Sequence, residues 1–447
     1  MLKVSEALDR ARLLCDAATK AGADAADALY YCNASTSVSM RLGALEDVER
    51  SETQDISLRV FVGQRSASVS TADMDAGELQ KLVERCVAMA SQAPEDPYSG
   101  LAPEEMLFHG EAPDLELDDD SEANPSALRE AALAAEDAAR AVDGVTNSEG
   151  GSASHSRTRF ALVTSHGFEG GYGSSGHSLS ASVIAGEGAN MQRDYGWHSA
   201  HHLTDLESAE MIGRRAGDRA VARLNPGKAP VGKLPILFDP RVSSTIIGHI
   251  LGAMAGPAVA RGTSFLLGKE DQKLFDSSLL IRDEPHRLRG LRSRAFDGEG
   301  LPTDARDIVQ GGRITGWLMD TASAKQLGQK PTGHASRGGG SSGVMASNVH
   351  LAAGSISRAD MIADIASGVI VTELIGQGVN PVTGDYSRGA SGFLIQDGEV
   401  VGAVAEFTIA GNLLDMFAAI TPADDLSFRQ ATNAPTLRID GMTVASS

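Results

Sequence analysis

Residues 225–235 read NPGKAPVGKLP, with three prolines and two glycines in eleven positions. Proline fixes its own φ and removes a backbone donor, and glycine loosens the chain, so no helix or strand ladder is expected to run through this stretch. It is read as a linker between an N-terminal unit, residues 1–224, and a C-terminal unit, residues 236–447. The length of 447 residues supports the division, being too great for one ordinary core.

On the N-terminal side, Val4, Ala7, Leu8, Ala11, Leu14, Cys15 and Ala18 recur at helical spacing, which predicts an amphipathic helix over 4–21. From about 26 to 71 the pattern alternates, as in STSVSMRLG and DISLRVFVG, with Gly43 and Gly63 as turns of a small antiparallel sheet. A second helix is predicted near 75–92. The same grammar recurs from Asn124-Pro125, a cap followed by proline in the first turn. Glycine-punctuated strands follow over 145–201, and Thr204-Asp205-Leu206-Glu207 has capping-box spacing for a helix to about 224. The reading is two helix–antiparallel sheet–helix units, 1–93 and 124–224, a duplication of pattern without shared sequence. Between them, residues 94–123 are acidic and carry Pro94, Pro97, Pro103 and Pro113, the marks of a connector or exposed excursion.

Beyond the linker, Val242–Ala260 is an uncharged stretch flanked by arginines. Its serines, His249, glycines and Pro257 mark a buried helix and not a membrane span. Many short glycine-bounded strands and helix-like pieces at 320–328 and 358–368 complete a β-rich unit. The fold class is therefore α+β, with a C-terminal β-rich domain holding a few buried helices.

Charge limits the partners. The chain holds 39 Lys and Arg against 59 Asp and Glu, for a net charge of −20, and residues 1–125 alone hold 10 against 25. Such a surface repels phosphate backbones and anionic lipid, so neither nucleic acid nor membrane is expected as a partner. Cys15, Cys32 and Cys86 form an odd, sparse set, as for reduced thiols in a cytoplasmic protein. Glu6 and Asp9 stand where a signal peptide needs an apolar run.

Four constellations invite a chemical reading. Gly171-Tyr172-Gly173-Ser174-Ser175-Gly176 spells a dinucleotide fingerprint, but alternating HSLSASVIAG follows it, and a glycine-rich hairpin is expected. Gly339-Gly340-Ser341-Ser342-Gly343 fits a nucleophile elbow inside the low-complexity run SRGGGSSG, with His334 and His350 nearby in sequence; a flexible loop is expected. His198, His201 and His202 are weighed as metal ligands and read as a solvated patch at a strand end. The segment Asp385, Tyr386, Ser387, Arg388, Gly389, Ala390, Ser391 is read chiefly as β-turns with a structural arginine. Its alternative is a peptide-binding rim, in which small residues admit a backbone and Arg388 offers a fork to a carboxylate.

RGTSFL (261–266), RAFDGEG (294–300), PTGHA (331–335), VTELIGQGVNPVTGDYSRGASGF (371–393) and EFTIAGNLLDMF (406–417) resemble the TldD/PmbA family, and more closely its PmbA branch, also called TldE. The resemblance implies a cytosolic peptidase built as a TldD–TldE heterodimer acting on unfolded peptides and peptide precursors. TldD members of the family carry zinc on a helix bearing His-Glu-x-x-x-His, with a cysteine near the C-terminus as third protein ligand. Anchored on Arg261-Gly262-Thr263-Ser264, that motif falls on Ile247-Gly248-His249-Ile250-Leu251-Gly252, where Ile247, Gly248 and Gly252 replace the two histidines and the glutamate. No His-Glu pair occurs anywhere in the chain, and the lead-in ATNAPTLRID (431–440) holds no cysteine. The expectation is a chain with no catalytic residue and no metal of its own, completing the substrate cavity of a TldD-type partner that holds the zinc. A homodimeric peptide-binding or regulatory protein, and an independent hydrolase using Ser341 or the His198 cluster, stand as alternatives.

Overall fold

A computed structural model describes residues 1–122, 124–337 and 342–446. The N-terminal half runs α1 (Val4–Lys20), β1 (Ala25–Arg41), β2 (Ala44–Val62), β3 (Arg65–Thr71), α2 (Ala76–Gln92), α3 (Pro125–Arg140), β4 (Val145–Thr164), β5 (Glu169–Ala185), β6 (Gln192–Ala200) and α4 (Ala209–Ala222). Its strands form one antiparallel sheet in the order β3-β2-β1-β4-β5-β6, symmetric about the central β1–β4 pair. Each helix–strands–helix unit supplies half of it.

Alternation along β1 decides which face is covered. Ala26, Ala28, Tyr30 and Cys32 pack under α1 and α2, while Val38 and Met40, of the same parity, pack under α3 and α4. All four helices thus lie on one face. Small residues let α3 and α4 nearly touch: a Cβ on Gly213 would stand 2.1 Å from the Ala135 carbonyl oxygen.

The opposite face meets the C-terminal half. Leu29, Leu162 and Phe168 of the sheet side pack with Ala295 and Phe296, from the RAFDGEG segment. The Phe168 and Phe296 rings meet edge-on at 4.9 Å, and Gly300, at φ +82°, passes so close to Phe168 that a Cβ would sit 2.5 Å from it.

The C-terminal half runs β7 (Gly232–Phe238), α5 (Pro240–Ala253), α6 (Gly256–Ala260), β8 (Ile281–Asp283), β9 (Arg306–Gln310), β10 (Arg313–Ile314), α7 (Thr321–Leu327), β11 (Ala335–Arg337) and β12 (Ser342–Val344). It continues with β13 (Val349–Leu351), α8 (Arg358–Ala363), β14 (Ser367–Ile375), β15 (Asp385–Gln396), β16 (Glu399–Asn412), α9 (Leu413–Ala418), β17 (Ile420–Pro422), β18 (Thr432–Asn433) and β19 (Leu437–Ser446). The order β16-β15-β14-β7-β19 closes into a barrel because β16 also pairs with β19. The β15–β16 hairpin turns on Asp397 and Gly398, at φ 51° and 80°, the double left-handed turn that Asp-Gly favours. The α+β class with a β-rich C-terminal half is thereby observed.

Four expectations change. Strand β7 starts at Gly232, inside the stretch 225–235 read as a linker, and Pro235 is accommodated at an irregularity in the β7–β19 pairing. The stretch Val242–Ala260 is not one helix: α5 ends at Ala253 and α6 restarts at Gly256, since Pro257 has no N–H for a continuous ladder and its ring would strike the preceding turn. Helix α4 is capped by Ser208, which accepts from Met211 N, and not by Thr204. Glu207, the expected capping-box partner, is instead held by Arg215 at 2.8 Å and by Arg429. The acidic connector is more than an exposed excursion: Leu107, Leu115 and Leu117 are buried, and Leu117 O accepts from Ser175 N on β5.

Candidate functional site

Helix α5 starts with Asp239 as cap, accepting from Arg241 N, and Pro240 in its first turn. Its apolar stripe, Val242, Ile246, Ile247, Ile250 and Ala253, enters a core shared with Ile236, Phe238, Val371 and Leu437 of the barrel. Ile247 is therefore packing. Gly248 and Gly252 face outward, exposed, with nothing within 4 Å of where a Cβ would be. The helix presents a bare face there.

His249 stands beside that face. Its ring meets the Tyr386 ring edge-on at 5.9 Å, and Arg388 lies two residues further along the same side of β15. His249 Nε2, the Tyr386 hydroxyl and Arg388 Nε are all buried atoms without a hydrogen-bond partner. Three such atoms together are unusual, because an unmatched buried polar group costs roughly 1–3 kcal/mol. Burial, and then the nearby Arg388 charge, hold His249 below its ordinary pKa, so the imidazole is neutral. Burial pushes the Tyr386 phenol well up, so it stays protonated and can donate.

The 385–391 segment is not the set of β-turns that its small residues suggest but the first part of strand β15, paired along its length with β16, and its remaining residues divide by strand alternation. Asp385 is exposed, bonded by Thr383 Oγ1 at 2.7 Å and Asn412 Nδ2 at 3.2 Å, which lower its pKa. Ser387 N donates to Gly378 O at 2.7 Å. Gly389 pairs with Thr408. Ser391 donates to Glu373 at 3.0 Å and accepts from Arg223 at 3.2 Å, inside an ion pair that joins the end of α4 to the barrel. Only Tyr386 and Arg388 share a site with His249.

The other motifs resolve separately. Gly171–Gly176 lies within strand β5 and no helix follows it, so it is neither a phosphate turn nor the tip of a hairpin. Ser341 and its glycine neighbours 338–340 lie outside the described residues; His334 bonds Thr332 Oγ1 at 2.9 Å and approaches Asp283 at 3.3 Å, while His350 stacks edge-on with Phe428. The histidine patch is not a ligand set: His198 Nδ1 accepts from Glu207 N, His201 Nδ1 meets Ser175 O and His202 Nε2 meets Glu116 O. Among the described residues the convergent group is a different one, Asp119, His155 and His177. Each histidine sits inside an alternating strand with no motif around it, and only the β4–β5 register makes them neighbours. The three cysteines are free and buried; burial pushes Cys15 up to about 12 and Cys86 to about 11, leaving inert thiols.

A helix-covered six-stranded sheet docked on a closed barrel, with a polar cluster where the first barrel helix meets β15, defines the structural class. The fold alone, sheet and barrel, is shared with a solved TldE from Thermococcus kodakarensis, at TM-score 0.87 and 22% identity over 98% of this chain and 100% of that one. A solved Bacteroides thetaiotaomicron protein, named there as a candidate modulator of DNA gyrase, matches at TM-score 0.92 and 28% identity over all of both chains. Residues 26–90, 118–224 and 231–446 match the first, central and C-terminal domain models of the PmbA/TldA metallopeptidases, and the chain belongs to the PmbA/TldD family. It is 37% identical to the Escherichia coli O157:H7 Metalloprotease PmbA over 94% of this chain and 92% of that one. A Haemophilus influenzae homologue of PmbA is 35% identical over 96% and 93%. No described helix is long and apolar enough to cross a membrane.

Proposed function

We propose that this chain is a TldE-type, non-catalytic subunit of a cytoplasmic zinc metallopeptidase complex, which holds unfolded peptide for a TldD-type partner. The carrying observation is the trio of partnerless polar atoms, His249 Nε2, Tyr386 hydroxyl and Arg388 Nε, beside the bare Gly248–Gly252 face of α5. A peptide main chain has the complementary groups. Its carbonyls accept from Tyr386 and Arg388, its N–H groups donate to His249, and glycines at 248 and 252 leave room for its backbone. Binding through the main chain ignores sequence, which suits unfolded substrates.

Zinc does not fit this cluster. The glutamate and both histidines of the family's metal motif are replaced by Gly248, Ile247 and Gly252, so His249 is the one imidazole at the cluster, and a guanidinium stands in its field. One neutral nitrogen beside a fixed cation cannot hold a dication. Peptidase chemistry is accordingly assigned to the partner, and substrate positioning to this chain.

The test is reconstitution. The pure chain should leave an unfolded peptide intact, and adding the TldD-type chain of the same genome should give a heterodimer by size-exclusion chromatography together with cleavage. Arg388→Ala should lower kcat/KM of the complex at least tenfold without separating the subunits. Robust cleavage by the pure chain, or a persistent homodimer in the mixture, would defeat the reading.

A further inference from the structure

We propose that Asp119, His155 and His177 form a binding site for one divalent transition metal, zinc by its donor set, that fastens the acidic connector to the N-terminal sheet. His155 on β4 and His177 on β5 are direct cross-strand partners, with ring centroids 5.0 Å apart. Both are 5% exposed. Their Nε2 atoms point to one spot, each 3.2 Å from the Ser121 hydroxyl, and His177 Nε2 lies 2.8 Å from Asp119 Oδ2. One Nε2 from each histidine and one carboxylate oxygen thus lie within 4.8 Å of one another. Tetrahedral zinc at about 2.0–2.1 Å from each donor needs ligand atoms about 3.3 Å apart, a contraction that side-chain rotation supplies.

The donor set matches zinc chemistry: two imidazoles and one carboxylate, with the Ser121 hydroxyl or a water for the fourth position. The carboxylate is held in place from behind, its Oδ2 accepting from Leu203 N at 3.0 Å and its Oδ1 from Ser121 N at 3.0 Å. Among the described residues no lysine or arginine pairs with it. Arg157 and Arg159 turn instead to the adjacent Asp118, at 3.2 and 3.0 Å. A cavity of about 530 Å³ bounded by His155, Arg157, Glu122 and Thr36 opens beside His155.

The site has a mechanical consequence. Residues 115–121 cross from the sheet to the C-terminal half, where Glu116 pairs with Arg289 at 2.7 Å. A metal at Asp119 would hold this strap at its middle. The inference does not depend on the peptidase reading, since it concerns none of the residues of the α5 cluster.

The experiment uses the full chain, stripped with a chelator and then dialysed against zinc or cobalt. Expected are one metal per chain by elemental analysis, visible cobalt bands of tetrahedral intensity, and a melting temperature raised by several degrees on zinc addition. His155→Gln and His177→Gln, each checked for fold by circular dichroism, should weaken binding at least tenfold, while His201→Ala leaves it unchanged. Failure of the unmutated chain to take up stoichiometric metal would overturn the proposal, leaving a hydrogen-bonded Ser121–His–Asp group. So would loss of the metal in His201→Ala but not in His177→Gln.

Discussion

Arg241, in the first turn of α5, clasps Asp194 on β6 with two hydrogen bonds of 2.9 and 3.0 Å. The carboxylate is 1% exposed and also receives Arg223 at 3.3 Å, so one buried acid binds a barrel-side helix and α4 to the sheet. Burial alone would raise its pKa, but the Arg241 hydrogen bonds and charge outweigh it and hold the group below the ordinary carboxylate range. Asp194→Asn strands two buried guanidiniums and should cost about 3–5 kcal/mol in urea unfolding. Because the acid's folded pKa is depressed, its contribution is complete above the ordinary carboxylate pKa and is lost as pH falls below it. Acid should therefore weaken the junction of the two halves in the parent, read as a fall in stability below the ordinary carboxylate range that Asp194→Asn shows less of. A variant within 1 kcal/mol of the parent would show that the clasp is idle.

Glu299 works in the opposite sense. It is 5% exposed and accepts from Thr321 N at 2.9 Å and Thr321 Oγ1 at 2.6 Å. Burial raises its pKa from 4.5 to about 7, with Arg59 opposing. Between those two values the folded chain keeps a proton that the unfolded chain has lost, so stability falls as pH rises through the window and levels off above it. Glu299→Gln keeps the acceptor and removes the charge. It should flatten that slope and stabilise the chain at pH 8 by up to about 2–3 kcal/mol. An unchanged slope in thermal melts between pH 5 and 8 would refute the assignment.

The two capping sites near α4 can be separated in the same way. Ser208→Ala removes the hydroxyl that accepts from Met211 N and should cost about 0.5–2 kcal/mol. Thr204→Ala should be neutral, because Thr204 lies in a short turn before the helix. Equal losses in chemical denaturation would return the cap to Thr204.

These residues also show what the sequence makes legible. Periodicity located α1 over Val4–Lys20 and the paired helix–strand–helix grammar, because core-facing alternation is written locally. The Asn124-Pro125 cap and the Asp397-Gly398 turn were readable for the same reason. Long-range choices were not. Glu207 has capping-box spacing from Thr204, yet Arg429, over two hundred residues away, takes the carboxylate. Nothing local pairs His155 with His177 either, since their meeting depends on strand register. At the α5 cluster, motif alignment led to His249 and residue chemistry to the 385–391 segment, but period-2 geometry selected only Tyr386 and Arg388 from that segment.

Tyr386 gives the sharpest test of the α5 cluster, because stability and binding should move apart. Its hydroxyl is buried and unpartnered in the free chain, so the folded protein carries the desolvation of that group without a compensating bond. Tyr386→Phe removes the group and keeps the ring that packs edge-on against His249. The variant should match or exceed the parent in thermal stability, by up to about 1–3 kcal/mol on the usual scale for an unmatched buried polar group. If the hydroxyl is reserved for a peptide carbonyl, the same variant should bind unfolded peptide about five- to tenfold more weakly, the equivalent of one hydrogen bond. Stability by differential scanning calorimetry and affinity by fluorescence anisotropy, on the same preparation, read both quantities. A destabilised variant with unchanged peptide affinity would mean that the hydroxyl is bonded within the fold and serves packing alone.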